Sequence, residues 1–241
     1  MKRAPLLSYA KAVYFKAIDL LHRPFVKQGA ADPYHVVHDG FVALGRSLPA
    51  PSVLELGSRN VTGVTRRGLF PDCREYVGFD IMAGDGVDVV GDVHCLGNYF
   101  PASHFDLVFA ISVFEHLLFP WKAVLEVNKV MRTGGYLHVC THPAWPEHEM
   151  PWDFWRFPHQ AFHALLNTYT GFEITAIAEG LPCKAYSLVD DGPTRRLWLH
   201  SLNQGVAVTA RKTGIYRSDL LKWEIEAREV IGTDYPRPAK R

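Results

Sequence analysis

A glycine turn and an acid, set about twenty residues apart, are the residues of this sequence best suited to chemistry. Glu55 and Gly57 close a short apolar run, and Asp80 closes a second one. A glycine lets the backbone approach a ligand closely because it has no Cβ atom. An ionised carboxylate can accept hydrogen bonds from both hydroxyls of a ribose. The spacing from Gly57 to Asp80 therefore predicts a binding site for an adenosine-containing cofactor.

The glycine pattern favours S-adenosylmethionine over a dinucleotide. Arg59 and Val61 stand where a G-x-G-x-x-G turn would have further glycines to cradle a pyrophosphate. S-adenosylmethionine has no phosphate, and Glu55 would attract its cationic sulfonium and amino groups while repelling a pyrophosphate. An ordinary buried strand with a glycine turn explains the first motif alone, but it does not explain the addition of Asp80.

A third acid extends the predicted cofactor site. Residues 86–92 read as a third short strand ending in Asp92, whose carboxylate can accept a hydrogen bond from an adenine amine. Val93 can offer its backbone N–H to the same ring. The predicted cofactor-binding set is completed by three neighbours of these motifs, namely Ser58, Ile81 and Ser112.

Two histidines are candidates for a general base. His116 follows the fourth apolar run and His142 the fifth, so both belong at the sheet edge where ligands bind. An imidazole can take a proton from a hydroxyl near neutral pH. We rank His116 first because it lies closer to the expected methyl position. A structural Glu115–His116 pair that fixes the element behind the strand is an equally good interpretation.

A loop rich in proline and tryptophan follows the fifth run, at residues 141–157. Its polar side chains face the acceptor side of the predicted site, and the candidate substrate-binding residues are His148, Glu149, Asp153 and Arg156. Asp153 and Arg156 are three residues apart, so an internal salt bridge that braces the loop is an alternative role for them. The tryptophans of this loop favour packing over stacking on a ligand.

Neither the histidines nor the cysteines follow a metal-binding pattern, so no metal is predicted. The histidine and glutamate positions considered were His116, His142, His148 and Glu149. The four cysteines form neither a C-x-x-C pair nor a disulfide framework, which indicates reduced thiols in a cytoplasmic protein; they are Cys73, Cys95, Cys140 and Cys183.

These residues need a parallel α/β sheet to bring them together. Apolar runs predict strands at residues 53–56, 76–80, 86–92, 105–112, 136–141 and 172–178. Helical spacing predicts helices at residues 9–21, 121–131, 159–166 and 217–231. The glycine pair Gly134–Gly135 is expected to stop the second of these helices.

In this order the motifs resemble those of class I S-adenosylmethionine-dependent methyltransferases, in the small-molecule group known as type 11. The matching segments, between residues 50 and 141, are VLELGS, YVGFD, GVDVVGD, FDLVFAISVFEH and MRTGGYLHV. The resemblance implies a seven-stranded, mostly parallel Rossmann-like sheet flanked by helices. It also implies that Glu55 and Gly57 line the methionine end, Asp80 the ribose, and Asp92 and Val93 the adenine.

The resemblance is weaker at the glycine loop and extends past the fifth strand. Arg59 occupies the second glycine position, although some relatives share the G-S-x-[DN]-x-x-G form of residues 57–63. An H-x-x-P-x-D-x-W-R-F arrangement found in part of the group matches residues 148–157.

Composition fits one catalytic domain with accessory ends, because 241 residues that are 48% hydrophobic can bury one large α/β core. We divide the chain into a helical accessory or lid (1–32), a methyltransferase domain (33–214) and a C-terminal helix and tail (215–241). A net charge of +1 argues against a nucleic-acid partner held by bulk electrostatics, and no apolar run is long enough for membrane insertion. The charged last helix suits a dimer contact as well as a free surface, which leaves a homodimer open.

The sequence thus predicts an enzyme that transfers a methyl group to a small polar acceptor, with a hydroxyl of a glycan or secondary metabolite preferred. Transfer is a displacement at an electrophilic sulfonium, so the protein supplies alignment and, for a hydroxyl, a base. N- or C-methylation is one alternative, and a degenerate cofactor-binding partner subunit is another, supported by the altered glycine loop. An NAD(P)-linked oxidoreductase is disfavoured by the missing glycines and by Glu55.

Overall fold

The computed structural model describes residues 4–23 and 31–219, and it divides the chain into two compact units, residues 1–31 and 32–241. The first unit contains one described helix, α1 (Ala4–His22), which includes the predicted helix 9–21. Among the described residues, no helix is both long and apolar enough to cross a membrane. The predicted C-terminal helix 217–231 lies outside the described residues from position 220 onward.

The second unit is a seven-stranded sheet with helices on both faces. Its helices are α2 (Pro33–Ser47), α3 (Pro120–Val130) and α4 (His159–Leu165). Its strands are β1 (Ser52–Leu56), β2 (Glu75–Asp80), β3 (Val89–Val90), β4 (Phe105–Ile111), β5 (Met131–Thr141), β6 (Phe172–Cys183) and β7 (Leu202–Lys212). The strand order is β3-β2-β1-β4-β5-β7-β6, and only β7 runs antiparallel to its neighbours. The predicted fold class is confirmed.

Alternation along β1 explains how helices cover both faces of the sheet, since successive strand residues point to opposite sides. Leu54 and Leu56 join the larger core cluster with Val124 of α3 and Phe162 of α4. Val53 joins the smaller cluster with Phe41 of α2. The five residues of β1 are all buried, as expected for a central parallel strand.

The predicted third strand was too long. Only Val89 and Val90 pair with β2, and Asp92 lies beyond them as the cap of a short 3-10 turn. The backbone of Gly86 has a φ of 85°, in the left-handed region, so the extended run begins only after this residue. The Asp92 carboxylate accepts the backbone N–H of His94 at 2.9 Å, so the acid is fixed by the turn instead of the strand.

The predicted glycine stop after α3 was also wrong. β5 begins at Met131, immediately after the helix, and Gly134, with a φ of 89°, lies within a register irregularity between β4 and β5. The end of α3 is capped from a distant strand instead, because the buried Nζ of Lys212 donates to the carbonyl oxygens of Asn128 (2.6 Å) and Met131 (2.8 Å). The sixth strand extends beyond its predicted end because it pairs with β7 as far as Cys183.

Candidate active site

The turn after β1 has the geometry that a close ligand approach requires. Gly57 has a φ of 73°, and a Cβ atom there would lie 2.2 Å from Cγ2 of Val113. Its N–H donates to the carbonyl oxygen of Phe79 at 2.8 Å, which joins the turn to β2. The predicted Gly57 turn and the end of the second strand are therefore brought together.

Asp80 lies at the end of β2 with both carboxylate oxygens facing this turn. Its Oδ2 accepts the backbone N–H of Arg59 at 3.2 Å, and its Oδ1 accepts that of Met82 at 2.9 Å. The Nε atom of Arg59 lies 3.8 Å from Oδ1. Each oxygen has used one of its two acceptor positions in these backbone bonds, so acceptor capacity for ribose hydroxyls is left.

Three consecutive residues beside Asp80 have buried polar atoms that make no hydrogen bond. Among the described residues, Ser58 Oγ, Arg59 Nε and Asn60 Oδ1 are buried and lack a hydrogen bond. Such groups are rare in folded proteins because an unsatisfied buried donor or acceptor costs about 1–3 kcal/mol. Their position along the glycine turn fits a polar ligand such as S-adenosylmethionine, whose ribose and amino acid groups would satisfy them.

Glu55 is buried within β1 and is held by two side chains that the motif alone does not reveal. The Tyr76 hydroxyl donates to its Oε2 at 2.5 Å, and Nη1 of Arg66 lies 3.4 Å from its Oε1. Burial raises the pKa of Glu55 above its ordinary value, although the Tyr76 bond and the Arg66 charge oppose the shift. Arg66 already balances part of the negative charge that was expected to face the cofactor.

The end of the site that is predicted to hold adenine is more exposed than the end near Glu55. Ile81 is 66% exposed, whereas Val93 is buried. Asp92 Oδ1 accepts the ring N–H of His94 at 2.6 Å. Burial tends to raise the pKa of Asp92, but its bonds to the backbone and ring of His94 outweigh this and leave the pKa lowered. Asp92 is therefore an ionised acceptor near the end of β2, since the N–H of its neighbour Gly91 donates to the Asp80 carbonyl at 2.9 Å.

His142 leaves the end of β5 with its ring fixed. Its Nδ1 lies 2.9 Å from the carbonyl oxygen of Gln204, and because a carbonyl only accepts, Nδ1 carries the proton. Its Nε2 lies 3.3 Å from Ser112 Oγ and 3.5 Å from Oε1 of the fully buried Glu115. In the neutral ring, Nε2 therefore holds the free lone pair that a base needs. A proton acquired there would face the Glu115 carboxylate.

His116 and His148 meet beside the same glutamate. Their ring centroids lie 4.8 Å apart, and one ligand atom each of Glu115, His116 and His148 lies within 4.8 Å of the others. The Nδ1 of His116 lies 2.6 Å from the Trp152 carbonyl oxygen, so this ring is tied to the acceptor loop. The spacing along the chain did not suggest this approach, and the expectation of no metal stays a prediction.

Asp153 and Arg156 form the internal salt bridge that was considered as an alternative to substrate binding. Arg156 donates to both carboxylate oxygens of Asp153, at 2.6 and 2.7 Å. Asp153 Oδ2 also accepts the backbone N–H of His148 at 2.9 Å, and the Arg156 bond holds the pKa of Asp153 well below its usual range. Glu149 is exposed on the same loop, with a φ of 51°. The polar groups of Asp153 and Arg156 are thus largely used within the loop.

The acceptor loop exposes aromatic rings, although its tryptophans were expected to favour packing over stacking on a ligand. Trp152 is 64% exposed and Trp145 is 43% exposed, whereas Phe157 is buried in the core. Trp145 stacks on the His142 ring, with centroids 4.7 Å apart. Flat apolar faces therefore border the histidine that has the free lone pair.

Sequence reasoning missed the partners that tune these residues. Glu115 was treated as a structural neighbour of His116, but its carboxylate faces His142 as well, and Thr141 Oγ1 donates to its Oε2 at 2.7 Å. Arg66 was not singled out, because its pairing with Glu55 joins a loop to a strand. An acid in an otherwise apolar segment was the available signal for Glu115.

Comparison with protein families gives a match to a methyltransferase domain over residues 42–139. This range runs from α2 to β5 and contains all of the predicted cofactor-binding residues. A curated relative, 2-methyl-6-phytyl-1,4-hydroquinone methyltransferase from Synechocystis, is 29% identical over an alignment of 163 residues that covers 61% of this chain. The matched part is 47% of that relative, so the chain spans about half of its length.

Solved structures share the fold at low sequence identity. A putative methyltransferase from Bacillus halodurans is 15% identical with a TM-score of 0.54, covering 73% of this chain and 98% of that one. An S-adenosylmethionine-dependent methyltransferase from Archaeoglobus fulgidus is 17% identical with a TM-score of 0.50, covering 81% of this chain and 99% of that one. At such identities the likeness concerns the fold alone.

Proposed function

We propose that this chain, which matches a methyltransferase domain over residues 42–139 and has the expected seven-stranded sheet, is a class I methyltransferase that transfers a methyl group from S-adenosylmethionine to a hydroxyl group. The acceptor is a small polar molecule such as a glycan or a secondary metabolite. The observation that carries the proposal is the convergence of His142, Ser112 and Glu115 at the sheet edge that also bears the Gly57 turn.

We assign each proposed cofactor residue a role that its contacts or its exposure support. S-adenosylmethionine supplies the electrophilic methyl group when it is bound. Asp80 accepts the ribose hydroxyls, the unsatisfied Ser58 Oγ bonds a polar group of the cofactor, and Asp92 accepts the adenine amine. Ile81 covers the adenine with an exposed apolar side chain. Glu55 attracts the cationic end from beneath the turn.

His142 is the proposed base, with His116 as the alternative. Its Nε2 takes the acceptor hydroxyl proton, and Glu115 stabilises the imidazolium because the two groups are 3.5 Å apart. A base so placed contributes about 10²–10⁴-fold to the rate. His116 is the weaker candidate because its ring lies against His148 instead of Ser112.

An acceptor with a flat face suits the surrounding loop. Trp145 lies against His142, and Trp152 is exposed on the same loop. Sugar rings and aromatic rings both pack on such faces. The hydroquinone named for the Synechocystis relative makes phenolic hydroxyls a suitable first set of acceptors to test.

Two alternatives give different results. N- or C-methylation would not require the His142 base, and a degenerate partner subunit would bind the cofactor without turnover. The contacts of Arg59 with Asp80 are the observation that favours a degenerate site. A cytoplasmic location belongs to the same proposal and is supported by four cysteines that form no disulfide.

Calorimetry on the full chain tests cofactor identity. Binding of S-adenosylhomocysteine is expected, and Asp80→Ala should weaken it by about 1.5–3 kcal/mol, the range for a lost charge-assisted hydrogen bond. The exposed Asp72→Ala serves as the matched control and should bind normally. Heat with NAD but none with S-adenosylhomocysteine would overturn the proposal.

Mass spectrometry of reactions with phenols, sugars and amines then tests the acceptor. Methylated products from hydroxyl acceptors support the proposal, and products from amines alone support N-methylation. Cofactor binding without any methylated product, across acceptors of all three classes, favours the degenerate subunit.

A further inference from the structure

Three side chains that commonly bind metals converge between α2 and β5, away from the predicted acceptor loop. His138 and Cys140 are two residues apart on β5 and therefore share a face of the sheet, and His38 approaches them from α2. The Nε2 atom of His138 lies 3.2 Å from Nδ1 of His38 and 3.2 Å from Sγ of Cys140. The third side of this triangle, from Sγ to Nδ1 of His38, is 3.9 Å.

These distances suit a shared central ion. A triangle with such sides has a point about 2.0 Å from each corner, close to the length of a zinc–imidazole bond and slightly below that of a zinc–thiolate bond. A small displacement out of the plane lengthens all three to the required values and leaves a fourth, open position. Hydrogen bonds alone explain the arrangement less well, because the one lone pair on Nε2 of His138 would have to accept from both His38 and Cys140.

The surroundings hold the rings in ligating orientations. Nδ1 of His138 lies 3.0 Å from Thr209 Oγ1, and such a bond to the second ring nitrogen is the usual support of a metal-bound histidine. The ring of Phe41 stacks on His138 with centroids 4.5 Å apart and planes 8° apart. Both His138 and Cys140 are buried, whereas His38 keeps partial exposure, which gives an ion a route of entry.

We propose that His38, His138 and Cys140 form a binding site for one borderline-soft divalent transition-metal ion, with zinc as the expected occupant. Two nitrogens and one sulfur favour zinc over magnesium or calcium, which prefer oxygen ligands. On binding, the Cys140 thiol loses its proton to solvent and the sulfur–metal bond replaces the S–H bond. The ion joins α2 to the middle of the sheet, a role independent of the proposed methyl transfer.

Cobalt(II) alone is a suitable probe for the metal-free full-length chain, because a cobalt–thiolate bond gives a charge-transfer band in the near ultraviolet. We expect one equivalent of cobalt to produce this band and zinc to abolish it by displacement. Cys140→Ser should remove the band, and His38→Gln should weaken cobalt affinity by about tenfold or more. Cys183→Ser, which changes a cysteine outside the cluster, should behave as the unmodified chain.

His38→Gln also guards against a folding artefact, because this residue lies on a partly exposed helix and its replacement should leave the circular dichroism spectrum unchanged. Absence of the thiolate band in the unmodified chain would overturn the proposal, as would a band that survives Cys140→Ser. Cobalt binding without the band, lost in His148→Gln, would assign the ion to Glu115, His116 and His148 and would also overturn it.

Discussion

At the scale of single residues, the two candidate bases differ in what surrounds their free nitrogen. His142 has a carboxylate and a hydroxyl beside Nε2, whereas His116 faces another imidazole. Glu115 lies near both rings, so the neighbouring hydroxyl of Ser112 is what distinguishes His142. This geometry reverses the order that proximity to the methyl group suggested.

Replacing His142 should separate catalysis from cofactor binding. His142→Ala is expected to lower kcat by about 10²–10⁴ because the hydroxyl proton loses its acceptor. Affinity for S-adenosylhomocysteine should stay within about twofold, since the contacts of His142 are with Gln204, Ser112 and Glu115. His116→Ala, assayed in parallel, should retain more activity; the reverse order would assign the base to His116, and normal kcat in both would exclude a histidine base.

Glu55 makes cofactor binding depend on pH. Its pKa is raised by burial, so a larger fraction of it is protonated in mildly acidic solution than for an exposed glutamate. Affinity for S-adenosylhomocysteine, which keeps a cationic amino group, should rise as the pH rises through this pKa and then level off. Calorimetry across mildly acidic to neutral pH measures the effect, and Glu55→Gln should flatten it. An unchanged profile in Glu55→Gln would show that the carboxylate does not act on the cofactor.

At the scale of elements, the packing of α2 on the sheet depends on one closely packed glycine. A Cβ atom on Gly45 would lie 2.4 Å from the Phe70 ring and 2.8 Å from Leu107, whereas one on Gly40 of the same helix would meet nothing within 4 Å. The Phe70 ring is buried and packs against Phe41, so it has little room to move. Gly45 therefore sets how closely α2 approaches the sheet.

Two alanine substitutions in α2 should have opposite effects on stability. Gly45→Ala is expected to lower the free energy of unfolding by about 1–3 kcal/mol, the usual cost of overpacking. Gly40→Ala is the matched control and should raise it by about 0.5–1 kcal/mol, because alanine loses less backbone entropy in a helix. Urea titration followed by circular dichroism measures both, and equal effects would contradict the close packing.

The acceptor loop depends on the Asp153–Arg156 pair. Asp153→Asn should cost about 1–3 kcal/mol, because both Arg156 and the backbone N–H of His148 lose a charged acceptor. The KM for the acceptor should rise while cofactor affinity stays unchanged. Asp190→Asn is the control, since Asp190 pairs with Arg195 on an open surface, where such bridges contribute little. Equal losses in thermal unfolding for the two variants would show that the loop pair is not structural.

At the scale of the whole molecule, ligand binding should stabilise the second unit against heat. Groups from the ends of β1, β2, β4 and β5 take part in the proposed site, so the cofactor would bind only the folded sheet. S-adenosylhomocysteine at 100 times its Kd should add about 2.7 kcal/mol to the free energy of unfolding. For a chain of this size that is a rise in Tm of about 5–10 °C.

Thermal shift with and without ligand measures this effect. NAD at the same concentration should give no shift, and Asp80→Ala should give a smaller shift with S-adenosylhomocysteine than the unmodified chain. A stabilisation by NAD larger than that by S-adenosylhomocysteine would contradict the proposed cofactor.

The sequence by itself indicated the likeness to methyltransferases, the sheet and the edge at which the candidate site lies. Apolar runs that end in Glu55, Asp80 and Ser112 are local signals, and parallel strands bring their carboxyl ends to one edge. The turn at Gly57 could be inferred because glycine is the residue that adopts a positive φ readily, and the structure has a φ of 73° there. The predicted likeness to methyltransferases and the predicted fold class are confirmed because both depend on such local signals.

Only the tertiary structure decided which charges face each other. The pairs Arg66–Glu55 and His142–Glu115 join residues from different elements, and an ion pair leaves no periodic pattern along the chain. The predicted strand 86–92 was too long for a related reason. Its length depends on pairing with β2 at the sheet edge, and only Val89 and Val90 make that pairing. His38 and His138 are a hundred residues apart and meet at 3.2 Å because α2 packs on β5. Local propensity determines where helices and strands form. The distances between side chains, on which binding and catalysis depend, arise from the packing of those helices and strands.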